Sequence, residues 1–193
     1  MNTTTSSIYV VVSQTGTPFS QLLKICTRAP YNHVSLALDE RLSVMYSFAR
    51  REINRPWIAG LIREHPLEGM FFIKKETQCR VYEISVTKNQ YEEVVQILGE
   101  FMSEYDRYRY NFLGLPFILL GVPMERDNHY ACSQFVAYVL QKARIISLDP
   151  HYSLVRPYDF CQQPHFKLLY EGRLQDYQKR YSQYLVKKQI KSY

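Results

Sequence analysis

The sequence predicts an α+β fold, an antiparallel sheet flanked by helices, and three observations predict it. Short runs that alternate or stay apolar, IYVVV, HVSLALD, CRVYEISV and FKLLYEG, read as strands, because successive strand residues face opposite sides. Longer runs with apolar residues every three or four positions, such as YEEVVQILGEF and SQFVAYVLQKA, read as helices. No internal repeat and no linker rich in Gly, Ser or Pro divides the 193 residues, whose 46% hydrophobic and 22% charged content suits one domain, 1–193, with its own core.

Taken in order, SIYVVVSQTG is a buried strand closing on Gly16, and TPFSQLLKICTRA is a helix with Thr17 as N-cap and Pro18 at its first position. A hairpin follows from His33 to Phe48, turning at Asp39-Glu40-Arg41 and returning as LSVMYSF. Residues 49–69 carry mixed charge, two prolines and the single Trp, which predicts a long loop over one side of the fold. CRVYEISV then alternates as a strand, and Thr87 caps an amphipathic helix, TKNQYEEVVQILGEFMSEY. The apolar stretch 111–124 contains Pro116 and Pro123 and falls short of the roughly 20 residues needed to cross a bilayer, so it reads as a short helix and turn, buried or interfacial. After the helix that follows Cys132 come the non-periodic SLVRPYDF, a last strand FKLLYEG, and a basic amphipathic helix over 174–193.

Composition narrows the function classes. A net charge of +6 is spread along the chain without a compact basic tract, and no RNA-binding or helix-turn-helix signature is present, so nucleic acid is not an expected partner. Weak contact with an anionic membrane surface stays compatible with the basic terminal helix. Cys26, Cys79, Cys132 and Cys161 are far apart, with no CxxC pair and no zinc-ligand spacing, so neither metal nor cofactor is expected. The opening MNTTTSS is polar and lacks a basic n-region, and IYVVV is too short for a secretory h-region, which makes a reducing cytoplasm the expected location.

One cysteine stands out by position. Cys132, in NHYACSQFVAYVLQKAR, lies where a polar loop gives way to an amphipathic helix. Unpaired N–H groups and the positive end of the helix dipole stabilise S⁻ there, lowering a thiol below its ordinary pKa of about 8.5. A nucleophile needs a base, and His33, opening the hairpin, is the candidate; a cysteine on a helix start facing a histidine on a strand is assembled in space whatever the gap in sequence. The imidazole also needs an orienting group. A two-residue turn places Tyr46 opposite His33, a three-residue turn Ser47, and a four-residue turn Phe48, so Tyr46 and Ser47 are the candidates that carry a hydroxyl. Tyr130 and Ser133, on either side of the thiol, are candidate substrate contacts, and the Cys132 backbone N–H is a natural oxyanion donor. His129 reads as a solvent-facing loop residue, and Arg156 with Asp159 as a structural ion pair.

The block YNHVSLALDERLSVMYSF followed later by YACSQFVAYVL puts His before Cys, the reverse of papain's order. In this it resembles the circularly permuted papain-like branch of the NlpC-type cysteine peptidases, whose relatives include the YiiX-like proteins and, more distantly, lecithin:retinol acyltransferase. The resemblance runs from the first strand through SLVRPYDF and implies a permuted papain-like (NlpC-type) fold. It makes Cys132 the nucleophile and His33 the general base, with the third polar group on the strand after the hairpin turn. Several relatives place Glu, Gln or His there, where this chain offers Ser47 or Tyr46. The implied reaction is acyl transfer through a thioester, on a small peptide-like or cell-wall-derived amide. The other expectations are a thioester acyltransferase at a lipid surface, favoured by 111–124 and the basic terminal helix, and a binding module that keeps the cleft without turnover.

Overall fold

In a computed structural model, described here for residues 5–16, 30–52, 54–149 and 151–181, the chain forms an antiparallel sheet flanked by helices. The strands are β1 (Thr5–Gln14), β2 (His33–Ala37), β3 (Met45–Arg50), β4 (Ala59–Glu64), β5 (Gln78–Thr87), β6 (Arg109–Tyr110), β7 (His129–Tyr130) and β8 (Lys167–Arg173). Six of them make one sheet in the order β4-β3-β2-β1-β5-β8, and β6 and β7 pair separately and in parallel. The α-helices are α1 (Gly69–Ile73), α2 (Lys88–Ser103), α3 (Gly114–Leu120) and α4 (Cys132–Lys142), and residues 174–181 are helical as well. The expected helix from Thr17, with Cys26, and the end of the basic terminal helix lie outside the described residues.

β1 is central and apolar on both sides because both faces of the sheet are covered. Ile8, Val10 and Val12 join the main core with Val94, Ile97 and Phe101 of α2 and Phe135, Val136 and Leu140 of α4. Tyr9 and Val11 point the other way, into a second cluster with Phe71 of α1, Leu174 and Tyr177. α2 begins as its sequence dictates: the Thr87 hydroxyl accepts from the Gln90 N–H, and the Gln90 side chain accepts from the Thr87 N–H. α3 ends on Gly121 at φ 68°, a left-handed cap that glycine takes without a Cβ clash. Of the two readings for this stretch, buried or interfacial, its exposed side chains fit the second: Leu119 and Leu120 in the helix and Leu113 and Val122 beside it are all exposed.

Two expectations are corrected. Residues 49–69 are not one long loop, since 59–64 form β4, paired with all of β3, and 69–73 form α1. β4 was hidden because it is a short edge strand with a glycine near its start and two charged residues at its end. That glycine is required, since a Cβ at Gly60 would collide with the Tyr108 carbonyl. The hairpin also turns later than expected. Its pairs are Leu36↔Tyr46 and Ala37↔Met45, so neither Tyr46 nor Ser47 stands opposite His33. The longer turn exists because Leu42, at φ 57°, drops its side chain into the second core while the Asp39 carboxylate accepts from the Ser43 N–H and hydroxyl.

Phe48 of β3 is the hub of the main core. Fully buried, its ring lies 5.1 Å from that of Phe135, 5.4 Å from Tyr130 and 6.4 Å from Phe101. Truncating such a side chain removes its burial energy and leaves a cavity, so Phe48→Ala is expected to cost about 3–5 kcal/mol in denaturant unfolding. Trp57→Ala, at a side chain 71% exposed, is expected to change stability by less than about 0.5 kcal/mol. Equal small effects at both positions would contradict this assignment of the core.

Candidate active site

α4 brings Cys132 to the sheet. Its last residue before the helix is Ala131, which has no capping side chain, so Gln134 reaches back instead and its Oε1 accepts from the Ala131 N–H at 2.8 Å. The same oxygen accepts from the Asn111 side chain at 3.2 Å, and Gln134 Nε2 donates to the Ser153 carbonyl at 2.9 Å. Gln134 is thereby satisfied although only 2% exposed, and it ties the helix start to two other segments. Asn111 in turn accepts from the Gly114 N–H at 3.0 Å, and a Cβ at Gly114 would overlap the Asn111 amide. Tyr110, one residue before Asn111, is therefore held beside Cys132.

Cys132 is the first residue of α4, where backbone N–H groups lack partners within the helix, and its side chain is nearly buried. Two side chains lie close enough to interact with its sulfur, His33 and Tyr110. The structure therefore brings together the expected cysteine and histidine, 99 positions apart in sequence. Tyr110 was not anticipated. Burial, together with the interaction with sulfur, keeps its hydroxyl protonated well above the ordinary tyrosine range, so it acts as a donor.

The group that orients His33 is also not one of those expected. His33 Nε2 lies 2.9 Å from Glu64 Oε2 and 3.1 Å from Oε1, which leaves Nδ1 for the thiol. Ser35, two residues along β2, donates to Glu64 Oε2 at 2.6 Å. Ser47 is instead fully buried and donates to the Val34 carbonyl at 2.7 Å, while Tyr46 sits between Leu36 and Arg63. Ser47 matters by being small: β3 runs between β2 and β4, and a short side chain turned to the backbone leaves room for Glu64 to reach across. Sequence reasoning missed Glu64 because it lies on the strand that was read as loop.

His33 and Glu64 have side chains only 12% and 11% exposed. Burial by itself would pull the imidazolium down, but the Glu64 carboxylate and the contact with Cys132 outweigh it and push the His33 pKa up to about 10. The ring is therefore charged at neutral pH, a proton donor held between a carboxylate and a sulfur atom.

The remaining candidates fall elsewhere. Ser133, 2% exposed, lines a small apolar crevice beside Cys132, together with Ile118 and Leu119 of α3. Tyr130 does not border it; its ring is 5.5 Å from Phe101 and 5.6 Å from Tyr138, so it is a packing residue. His129 Nδ1 contacts the Asp127 carbonyl at 2.7 Å. Arg156 pairs with Asp159 at 3.2 Å, and that carboxylate also accepts from the Arg156 N–H, closing a local turn. Among the described residues no group of three His, Cys, Asp or Glu could hold a metal ion, and no helix is long and apolar enough to cross a membrane. No family model, no curated protein and no solved structure matches the chain.

The raised His33 pKa is a statement about stability as well as chemistry. A proton held more tightly folded than unfolded stabilises the fold fully below the unfolded value of about 6.5 and ceases to do so as pH rises through about 10. Glu64→Gln removes the main upward cause. In an NMR titration the wild-type imidazole is expected to stay charged through neutral pH, and in the variant to titrate at lower pH. In denaturant unfolding, the stability advantage of wild type over Glu64→Gln should shrink steadily between pH 6.5 and 10. An advantage that does not change with pH would contradict a charged His33.

Proposed function

We propose that the chain is a cysteine hydrolase of permuted papain-like, NlpC-type arrangement, acting on an amide or ester carbonyl through an acyl-enzyme. One observation carries the reading: a thiol on the first turn of a helix lies beside a buried imidazole that a carboxylate holds. Each part has its role in acyl transfer. The Cys132 sulfur attacks the carbonyl carbon. His33 holds the proton needed by the leaving nitrogen or oxygen, and Glu64 keeps its ring oriented and charged. The carbonyl oxygen gains negative charge as the carbon becomes tetrahedral, and the Tyr110 hydroxyl and the N–H groups at the start of α4 are the donors nearest to it. A reducing cytoplasm would keep the thiol available.

The order of His33 on β2 before Cys132 on α4 supports the permuted arrangement, while the third group, Glu64, comes from β4 and not from the strand after the hairpin turn, where the relatives place theirs. A non-catalytic binding module is the weaker reading, because it leaves the buried His33–Glu64 ion pair without a purpose that offsets its desolvation.

Mixing the protein with p-nitrophenyl acetate and reading its intact mass is the direct test. Wild type is expected to gain one acetyl group, mapped to Cys132 by peptide mass spectrometry, and to lose it again with time. Cys132→Ala should not be labelled at all. Glu64→Gln should acylate about 10²–10⁴-fold more slowly, the range for a mispositioned acid–base group, while remaining folded. Labelling spread over surface lysines, with Cys132 untouched, would sink the hydrolase reading.

A further inference from the structure

Two cavities meet at the dyad, and their chemistry differs. His33 and Glu64 line the larger, of about 400 Å³, and Cys132 lines the smaller, of about 40 Å³. Tyr110 and Asn32 line both and so stand between them. Attack by sulfur leaves the acyl group on Cys132, while the departing amine must collect its proton from His33. The departing group therefore belongs on the His33 side, in the larger cavity, and the acyl substituent on the Cys132 side.

The smaller crevice is walled by Tyr31, Leu115, Ile118, Leu119 and Pro157. It has room for about three water-sized groups, since one needs roughly 10–15 Å³ on this measure. It suits a short apolar acyl substituent such as that of an acetyl or propionyl group.

The larger cavity is lined by three arginines, and one of them is fully engaged. Arg51 donates to the carbonyls of Leu61, Tyr105 and Tyr108, and its guanidinium lies 4.1 Å from the centre of the Tyr105 ring, so it fixes the 105–108 turn. Arg50 and Arg63 are differently placed. Both line the cavity, and Arg50 touches the Met70 sulfur at 4.0 Å. The carboxylates on the same wall are occupied, Glu64 by His33 at 2.9 Å and Glu68 by His65 at 3.8 Å. Among the described residues, then, two arginines that line one cavity have no carboxylate partner within ion-pair distance, and Ile62, Met70 and Phe71 add apolar wall. Such forks bind carboxylate or phosphate oxygens.

We propose that the larger cavity is a leaving-group subsite for amines that carry an acid group, held by Arg50 and Arg63, and that the preferred substrates are short-chain N-acyl amino acids. The assignment rests on the cysteine-hydrolase reading. In the first step, starting from the pair in which His33 holds the proton taken from the Cys132 thiol, the S–C bond forms and the C–N bond breaks, with that proton passing to nitrogen, so the amino acid leaves with a neutral amine. In the second, water adds to the thioester carbon, gives one proton to His33 and displaces the sulfur, releasing the short carboxylic acid.

Acetate release from N-acetyl-phenylalanine and from N-acetyl-phenylalaninamide tests the subsite. The free acid is expected to be preferred in kcat/KM by about tenfold or more, the size of one or two charge-assisted hydrogen bonds. The double variant Arg50→Gln, Arg63→Gln should lose that preference, slowing the free acid about tenfold or more beyond any effect on the neutral amide, and the double Lys variant should retain part of it. N-acetyl-O-phosphoethanolamine shows whether phosphate is taken as well as carboxylate. Calorimetry with phenylalanine and the Cys132→Ala protein needs no turnover; binding is expected, weakened about tenfold or more when both arginines are Gln. Arginine-dependent binding without any acyl-enzyme would overturn the hydrolase and keep the subsite. An acyl-enzyme with equal rates for acid and amide, and no arginine-dependent binding, would overturn the subsite and keep the hydrolase.

Discussion

A charged imidazole in the interior is the constraint on which the rest of the site depends. Removing an ion from water costs several kcal/mol unless its partners replace the lost solvation. Here the replacement comes from three strands. β2 supplies His33 and Ser35, β4 supplies Glu64, and β3 keeps the path between them open with Ser47, whose hydroxyl is turned to the Val34 carbonyl. The register matters for this reason. A slip of β4 by one residue would turn Glu64 to the opposite face and leave His33 with no carboxylate. The same slip would strike the Tyr108 carbonyl, because Gly60 would no longer lie beneath it.

The cysteine is positioned by a separate device. Gln134 bonds the Ala131 N–H, the Asn111 amide and the Ser153 carbonyl, so one buried side chain sets the end of α4 against the segment carrying Tyr110. Phe135, the next residue, locks the same helix into the aromatic core around Phe48. The sheet thus fixes the histidine and the core fixes the helix. The thiol meets the imidazole where α4 packs on the sheet through a shared core, so the pair is held on regular elements and not on loops.

How much of this the sequence carried follows from what each signal depends on. β1, β5 and α2 were legible because their patterns are local: alternation against two cores, and a Thr87–Gln90 capping box. Cys132 was legible because a helix start is also a local feature. Glu64 was not. It lies on a short edge strand, whose glycine and charged Arg63–Glu64 end remove the apolar alternation that marks interior strands. Its pairing with His33 depends on a hairpin turn lengthened by burial of Leu42, a tertiary effect with no local mark. Tyr110 was missed for a similar reason, since its position depends on the contact between Asn111 and Gln134 across the core.

The two causes that hold the proton on His33 do not persist equally through the proposed reaction. Glu64 is present throughout, but the contribution from Cys132 depends on the sulfur. Once the sulfur is a thioester it can no longer carry negative charge, and part of the upward push on the imidazole disappears. The ring has by then given its proton to the leaving group, and with that support gone it is less inclined to take one from bulk solvent. It is thus available to accept the proton of the attacking water. When the thioester opens and sulfur recovers its electrons, the push returns and the imidazolium is restored. In the proposed reaction the neighbouring sulfur thus alters how firmly the ring holds its proton, while the carboxylate on β4 keeps the ring in one place for both tasks.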